Sequence, residues 1–170
     1  MKKVIYLAGG CFWGLEHLMQ SLRGVVDAES GYANGRSGEL AYYDAVCTGL
    51  TGFRETVKVE YDTEKVSLET LLTAYFAVID PTLINRQGMD MGTQYQTGIY
   101  YTDEESRAIV ERMAAEEKKK HPRFYVELRG LENFYPAEEY HQDYLIKNPH
   151  GYCHISPAKM AQVRAMVGKE

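Results

Sequence analysis

Few cysteines and no long apolar run characterise this sequence. Its 170 residues include three cysteines, five prolines and one tryptophan, and no apolar segment approaches the roughly 20 residues that cross a bilayer as a helix. The glycine pair at 9–10 interrupts the first apolar stretch before a signal-peptide core can form. We therefore expect a cytoplasmic protein without a membrane segment. An odd cysteine count is not typical of a secreted disulfide scaffold, whereas a transient catalytic disulfide fits a reducing compartment.

Excess basic charge is also absent. The chain carries 24 acidic and 19 basic residues, for a formal net charge of −5 at pH 7, so nucleic acid and anionic membrane surfaces are not expected partners. Hydrophobic residues make up 45% of the chain, which at this length suffices for one well-filled core. We expect residues 1–170 to form a single domain without repeats and to act as a monomer.

The spacing of apolar residues predicts both strands and helices. Strands are expected over 3–8, 25–33, 55–61, 97–101 and 124–129. Helices are expected over 12–24, 67–79 and 102–120, the last with a capping box of Thr102 and Glu105, and short helices near 138–147 and 158–167. Residues 84–96 lack a period and are predicted to form a loop. This order predicts an α+β fold, an α/β sandwich with a ferredoxin-like mixed sheet, helices packed on it and a long irregular C-terminal tail.

Cys11 is the first candidate for chemistry, because it follows two glycines and begins a helix. A helix N-terminus is a setting that lowers the pKa of a thiol and increases its reactive thiolate fraction. The alternative is a small buried hydrophobe at the end of a strand. Phe12 and Trp13 follow at once, and an aromatic wall there can hold an apolar group beside the sulfur.

Glu55 is the second candidate. Strict alternation places it on the same strand face as Val57, Val59 and Tyr61. Burial there raises a carboxyl pKa, so that the acid stays protonated near neutral pH and can donate a proton to an oxygen. The pattern alone nevertheless favours a glutamate at the strand end that reaches solvent, since it lies just after Gly52.

Several further side chains are weaker candidates. Tyr43, Tyr95 and Asp90 lie in or beside loops that contain glycine, where two phenols and a carboxylate can surround a small polar ligand. Cys153 lies in the irregular tail, from which a second thiol can reach a first. Each of these residues is also compatible with an ordinary position in a loop.

Two other kinds of site fit some of these residues. A zinc site in the tail would use His141, His150, Cys153 and His154, but no paired Cys-x-x-Cys accompanies them. A cysteine hydrolase would pair Cys11 with His17 or His141. The third cysteine, Cys47, follows Ala45-Val46 and is expected to be a buried structural thiol.

Specific motifs distinguish among these alternatives. The segment Gly10-Cys11-Phe12-Trp13-Gly14 resembles the signature of the A-type methionine sulfoxide reductases. The resemblance continues in the family's order through nearly the whole chain, at Tyr43–Gly49, Glu55, Asn85–Gly88, Asp90–Tyr95, His141-Gln142 and Lys147–Cys153. A match of five residues can arise by chance, but this series is far more specific.

The resemblance implies a function for each matching residue. Cys11 would attack the sulfur of methionine sulfoxide as a thiolate and become a sulfenic acid, while Glu55 protonates the sulfoxide oxygen. Three other residues would support that step: Tyr43 and Tyr95 by holding the oxygen and Asp90 by arranging its loop. The aromatic rings of Phe12 and Trp13 would receive the methyl group.

The resemblance also implies how turnover is completed. Cys153 would condense with the sulfenic acid, and thioredoxin would reduce the resulting Cys11–Cys153 disulfide. No metal or organic cofactor is implied, and the substrate would be the S epimer of methionine sulfoxide, in peptides or free. A binding module for oxidised methionine, without turnover, is the non-enzymatic alternative.

The chain departs from the family's pattern in a few places. Phe53 and Gln96 stand where many members have His and Arg, which affects the expected surface contacts to substrate more than the chemistry. No cysteine follows Cys153, so a relay through a third thiol in the tail is not expected. The sequence is also compatible with the A-type half of a longer two-domain A/B reductase.

Overall fold

A mixed sheet covered by helices forms the body of the structure, a computed structural model that describes residues 1–167. The strands in this part of the chain are β1 (Lys2–Ala8), β2 (Val25–Ala33), β3 (Arg54–Asp62), β4 (Arg86–Gln87), β5 (Asp90–Met91), β6 (Gly98–Tyr101), β7 (Glu127–Gly130) and β8 (Phe134–Pro136). The helices are α1 (Phe12–Gln20), α2 (Tyr43–Val46), α3 (Leu68–Val78), α4 (Glu104–Lys118), α5 (Tyr144–Lys147) and α6 (Pro157–Val167). Short 3₁₀ turns lie at Gly38–Leu40, Thr93–Tyr95 and Glu139–His141.

Six strands form one sheet in the order β7-β6-β1-β3-β2-β8. Its central strands β6, β1, β3 and β2 are antiparallel neighbours, and α1 and α3 lie in the connections between them. This is the ferredoxin-like arrangement of two βαβ units. Because β7 pairs parallel with β6, the whole sheet is mixed. The predicted α+β fold with a ferredoxin-like mixed sheet is confirmed.

The alternation in β3 determines which of its side chains enter the core. Val57 and Val59 have no exposed surface, and they share one hydrophobic cluster with Leu18 of α1 and Leu71 of α3. Burial of each such side chain contributes about 1.5–3 kcal/mol. Since side chains two residues apart lie on one face, Glu55 is on the same face as Val57. The sheet thus carries a carboxyl group into the apolar side of the molecule.

The C-terminal tail is attached to the edge of the sheet that lies opposite β7. There β8 pairs with β2, and Gln142 accepts the Ser30 N–H at 2.9 Å and donates to the Ser30 carbonyl at 2.7 Å. The amide thus satisfies the strand backbone as a further strand would. The buried carboxyl of Glu16 accepts the Asp143 N–H at 2.9 Å. These contacts hold the tail against α1.

The N-cap of helix α4 lies one residue later than the sequence predicts. Asp103 is its N-cap, and its carboxylate accepts the Ser106 N–H at 2.7 Å. The predicted capping box of Thr102 and Glu105 is therefore wrong. Asp is a stronger N-cap than Thr, and the Glu105 carboxylate instead lies 3.1 Å from Lys3 Nζ. Within residues 1–167, no helix combines the length and apolar character needed to cross a membrane.

Further boundaries also differ from the prediction, and α1, expected over 12–24, ends at Gln20. Strand β7 begins at Glu127, whereas the sequence predicts a strand over 124–129. The difference arises because the Tyr125 N–H donates to the Pro81 carbonyl at 2.8 Å instead of to a strand. The predicted loop over 84–96 contains the β4–β5 hairpin, whose two-residue strands are too short to give an alternating pattern.

Candidate active site

Cys11 lies where β1 turns into α1, and it is the N-cap residue of that helix. The preceding Gly10 has a φ of +83°, and a Cβ there would lie 2.7 Å from the Cβ of Gln87. The turn therefore requires glycine for both its conformation and its space. The Cys11 side chain is 7% exposed and lines a cavity of about 230 Å³.

This cavity collects side chains that are distant in the sequence. Seven of the eight residues predicted to form a site line it: Cys11, Phe12, Trp13, Tyr43, Glu55, Asp90 and Tyr95. The eighth, Cys153, lines a second cavity. Its neighbour Tyr152, which is not among the predicted site residues, completes the lining of the first cavity.

Glu55 is buried beside α1, the helix that Cys11 caps. Its side chain is 2% exposed, and its Oε1 atom accepts the Phe12 N–H at 3.2 Å. Burial raises the pKa of Glu55 to about 8, and the negative charge of Asp90 acts in the same direction. The expectation that Glu55 reaches solvent is therefore wrong, since the first turn of α1 covers this end of β3. At neutral pH the group is a carboxylic acid.

The thiol of Cys11 behaves differently from the prediction. Burial raises its pKa, an ionised Glu55 raises it further, and a hydrogen bond from the Trp13 backbone lowers it only in part. The expected lowering of the pKa of Cys11 by the helix N-terminus is thus wrong. A helix terminus is worth about 0.3–1 kcal/mol, which is less than the effect of removing a thiolate from water. Cys11 therefore rests as a thiol.

Two phenols face this acid and this thiol. Burial raises the pKa of Tyr43, as does the hydrogen bond between its hydroxyl and Cys47, and burial also raises the pKa of Tyr95. Both hydroxyls are consequently neutral donors across the physiological range. Glu138 fixes the start of α2 by accepting the Tyr43 N–H at 2.9 Å.

An aromatic wall stands beside the cysteine, and the tail holds it in place. The Trp13 Nε1–H donates to His141 Nδ1 at 3.1 Å, and the Trp13 ring stacks on Tyr144 with centroids 3.7 Å apart and planes 6° apart. His141 is 2% exposed and also lies 4.5 Å from the Tyr43 ring. The imidazole therefore orients the aromatic side chains. No local pattern indicates this function of His141, because Trp13 and His141 are far apart in the chain.

Cys153 lies against the first turn of α1. A Cβ at Gly14 would come within 2.9 Å of Cys153 Sγ, so the absence of a side chain at Gly14 makes room for the tail thiol. The Cys153 Sγ atom is 3.0 Å from the carbonyl oxygen of Ile155. Cys11 and Cys153 are both free thiols in this structure.

Tyr152 links the tail to the hairpin on the other side of the cavity. Its hydroxyl donates to the Asp90 carboxylate at 2.9 Å. The residue immediately before Cys153 is thereby joined to β5. Its adjacency to a candidate cysteine was the only sequence signal that could have identified it.

The alternative sites have less support from the geometry. Residues 1–167 contain no group of three or more His, Cys, Asp or Glu side chains arranged to hold a metal ion, so the zinc alternative has no ligand set there. For the hydrolase alternative, the described lining of the Cys11 cavity contains no histidine. His141 bonds to Trp13, while His17 lines the second cavity of about 650 Å³.

Cys47 is exposed, so the prediction of a buried structural thiol is wrong. The preceding residues Ala45 and Val46 occupy the buried positions, at 8% and 0% exposure. Cys47 is the C-cap residue of the short helix α2. It therefore lies beyond the face that α2 turns toward the core.

The two residues that depart from the family's pattern, Phe53 and Gln96, are both buried. Phe53 is 1% exposed, and its ring packs 5.9 Å from that of Tyr135. Gln96 accepts the Asn85 N–H at 2.7 Å and donates to the Tyr125 carbonyl at 2.7 Å. Gln96 thus braces the loop that carries the hairpin, and neither side chain forms a surface contact.

This chain is similar in sequence and in fold to several known proteins. The profile of a family described as peptide methionine sulfoxide reductase matches residues 3–169. A curated relative from Clostridium acetobutylicum, named peptide methionine sulfoxide reductase MsrA, is 53% identical over 156 residues, which are 91% of this chain and 95% of the relative. The crystal structure of reduced Mxr1 from Saccharomyces cerevisiae is similar with a TM-score of 0.87 and 36% identity over 91% of each chain. Mxr1 in complex with Trx2 is similar with a TM-score of 0.60 and 27% identity over 84% of each chain.

Proposed function

The chain belongs to the peptide methionine sulfoxide reductase family, and we propose that it reduces the S epimer of methionine sulfoxide, in peptides and free, through a sulfenic acid on Cys11. The observation that carries this proposal is the convergence of one thiol, one buried carboxylic acid and two phenols on a single cavity. Each group meets one requirement of the reaction. The thiol receives the oxygen atom, the acid supplies a proton, and the phenols hold the oxygen.

In the first step the Cys11 sulfur attacks the sulfoxide sulfur. The oxygen becomes basic as the new sulfur–sulfur bond forms, and neutral Glu55 gives it a proton. Tyr43 and Tyr95 donate hydrogen bonds to the same oxygen. The oxygen then passes to Cys11, both the sulfur–oxygen bond of the substrate and the new sulfur–sulfur bond break, and methionine leaves. The proton lost by the Cys11 thiol restores Glu55, so the sulfenic acid is the only change in the protein.

The chirality of the cavity supports selection of one epimer. A sulfoxide sulfur carries an oxygen, a methyl group and the rest of the side chain. When the oxygen points toward Glu55 and the methyl group lies against Phe12 and Trp13, the rest of the bound peptide extends out through the opening of the cavity. Exchanging oxygen and methyl, as in the R epimer, would put the oxygen against apolar rings, which costs the hydrogen bonds it would otherwise make. The contacts of Trp13 with His141 and Tyr144 keep this wall rigid.

Cys153 completes the proposed turnover. Its thiol condenses with the Cys11 sulfenic acid, which forms the Cys11–Cys153 disulfide and releases water. The position of Cys153 beside Gly14, in the first turn of the helix that Cys11 caps, supports this assignment. Asp90 holds the preceding residue through the Tyr152 hydroxyl and so arranges both the hairpin and the tail.

Thioredoxin is the proposed reductant of this disulfide. The solved complex of Mxr1 with Trx2 supports the assignment, and a thioredoxin potential of about −270 mV makes the transfer favourable. The need for a reducing dithiol also fits the predicted cytoplasmic location.

We also propose that residues 1–170 form a single domain. This proposal is supported by a core cluster that includes both Ile5 of β1 and Val163 of α6.

Separated epimers of a methionine sulfoxide peptide test the proposal. With dithiothreitol, the wild type should reduce the S epimer over many turnovers and leave the R epimer unchanged. With thioredoxin, Cys153→Ser should release about one equivalent of methionine and then stop, with a Cys11 sulfenic acid that dimedone traps. A hydrolase would not need Cys153, and a binding module would release no methionine. Reduction of neither epimer by the wild type would overturn the proposal.

Gly14→Ala should separate the two chemical steps. The added methyl group would lie 2.9 Å from Cys153 Sγ and 3.4 Å from Ile155 Cδ1, so the tail must shift away from α1. We expect the single-turnover release of methionine to change little and disulfide formation to slow by about tenfold, a difference of roughly 1.4 kcal/mol. Rapid quenching with dimedone measures both steps. The matched control is Gly130→Ala, whose methyl group would meet no atom closer than 3.9 Å; equal slowing in both variants would contradict the prediction.

A further inference from the structure

Two methionines stand fully in solvent on the hairpin beside the cavity. Met89 is 87% exposed and Met91 is 71% exposed, whereas Met19 and Met160 are 0% and 4% exposed. Met89 lies at the turn between β4 and β5, and Met91 ends β5. Thioethers that are this accessible oxidise readily to sulfoxides. The hairpin therefore presents, at the surface of a methionine sulfoxide reductase, the side chain from which its substrate is made.

The register of the hairpin shows where these thioethers point. Gln87 pairs with Asp90, and Arg86 pairs with Met91. Gln87 is 2% exposed and Asp90 lines the Cys11 cavity, so this pair faces inward. Because successive side chains on a strand point to opposite faces, Arg86 and Met91 face outward. The Met91 thioether is directed away from the cavity that its neighbour helps to form.

Hydrogen bonds also anchor the hairpin at its base. Gln87 Oε1 accepts the Asp80 N–H at 2.8 Å, and Gln87 Nε2 donates to the Asp80 carbonyl at 2.8 Å. The Gly92 N–H donates to the Asn85 carbonyl at 2.9 Å and closes the loop. Reaching the cavity of the same molecule would require breaking these bonds. A second copy of the chain has no such obstacle, since the tip of the hairpin is open to solvent.

We propose that Met89 and Met91 are oxidation sites and that their S sulfoxides are reduced by Cys11 of a second copy of this chain. The inference rests on the proposed function and adds a specific protein substrate to it. Repair in trans also protects the cavity, because the oxidised side chains would otherwise remain on either side of Asp90.

The steps balance with a peroxide as oxidant and a dithiol as reductant. Hydrogen peroxide transfers one oxygen atom to the thioether and leaves as water. Cys11 of the second copy takes that oxygen as a sulfenic acid and restores methionine. Cys153 of that copy then forms the disulfide and releases a second water, and the dithiol reduces the disulfide. Each cycle therefore consumes one peroxide and one dithiol, and the methionine is unchanged.

A mixing experiment tests the proposal. Cys11→Ser protein, which cannot repair itself, is treated with hydrogen peroxide and freed of oxidant, and peptide mass spectrometry locates the sulfoxides. Isotope-labelled wild type and dithiothreitol are then added. Sulfoxide at Met89 and Met91 of the unlabelled protein should fall to about half, because only one epimer is reduced. The rate should rise in proportion to the wild-type concentration. Wild type carrying Met89→Leu and Met91→Leu, added instead, should act equally well.

Three results would overturn the proposal. One is that Met89 and Met91 stay reduced under peroxide while the less exposed Met166 is oxidised. Another is that their sulfoxides persist while a model methionine sulfoxide peptide in the same tube is reduced; this leaves the proposed function intact and removes only the self-substrate. The third is that oxidised wild type repairs its own hairpin at a rate independent of dilution, which would place the reaction within one molecule.

Discussion

Replacing Cys11 by serine should abolish sulfoxide reduction, with a loss of kcat on the order of 10⁴-fold or more, as is typical when a nucleophile is removed. A serine hydroxyl is a far weaker nucleophile at neutral pH, and it cannot accept the oxygen atom as a sulfenic acid. Since Cys11 is also the only thiol in the described lining of its cavity, no other group there can substitute. The measurement is methionine released from the S epimer under dithiothreitol.

Cys47→Ser is the control for the loss of a thiol elsewhere. Cys47 is exposed, and serine keeps a hydrogen-bonding group beside the Tyr43 hydroxyl. We expect its kcat/KM to stay within about twofold of the wild type, in line with most surface substitutions. If Cys11→Ser kept substantial activity, or if Cys47→Ser lost as much as Cys11→Ser, the assignment of the nucleophile would be wrong.

Glu55→Gln should produce the second largest loss. Glutamine keeps the size of the side chain and an oxygen that can accept the Phe12 N–H, but it has no acidic proton to transfer. General acid catalysis typically contributes about 10²–10⁴-fold, and we expect kcat/KM to fall within that range. The circular dichroism spectrum should be unchanged. Full activity in Glu55→Gln would show that the proton reaches the oxygen from another group.

The pH dependence identifies the acid more directly than the size of the loss. With a pKa of about 8, Glu55 holds its proton below that pH and loses it above. The kcat/KM of the wild type should therefore decline as the pH rises through about 8, because the proton donor is lost. The residual activity of Glu55→Gln should lack this decline. A wild-type profile that shows no fall above pH 8 would contradict the assignment.

The stability of the folded protein should also depend on the protonation of Glu55 and, like kcat/KM, should fall as the pH rises. The pKa of Glu55 is raised from its ordinary 4.5 to about 8 in the folded protein, so the folded state binds this proton more tightly than the unfolded state. Its contribution is fully present below about pH 4.5 and is lost as the pH rises to about 8. Urea unfolding of the wild type should therefore lose stability across this window relative to Glu55→Gln.

Local sequence patterns were sufficient to predict most of the fold. The alternation in β3 and the apolar stripe of α3 predicted those elements, and the ferredoxin-like order followed from their sequence. The two glycines before Cys11 correctly indicated a turn into a helix, since a tight turn and an N-cap depend on a few adjacent residues. Boundaries were less certain, as at Asp103, because neighbouring residues compete to cap one helix.

The environment of each site residue depended on contacts between distant segments. Glu55 is buried because the first turn of α1, 43 residues away in the chain, covers it, and Trp13 is held by His141 across 128 residues. Neither contact produces a periodic pattern in the sequence. The exposure of Cys47 was missed for the same reason, since burial is set by the elements that pack around a residue.

The motifs of the chain thus predicted which residues form the cavity, whereas the tertiary structure determines how burial shifts their pKa values. The sequence placed Cys11 at a helix N-terminus and anticipated a lowered pKa, a local electrostatic effect. In the folded protein the thiol and Glu55 are both buried beside one cavity, and burial favours the neutral form of both. The desolvation of a group depends on all the segments that surround it. It is therefore determined only by the folded arrangement of β1, β3, the hairpin and the tail.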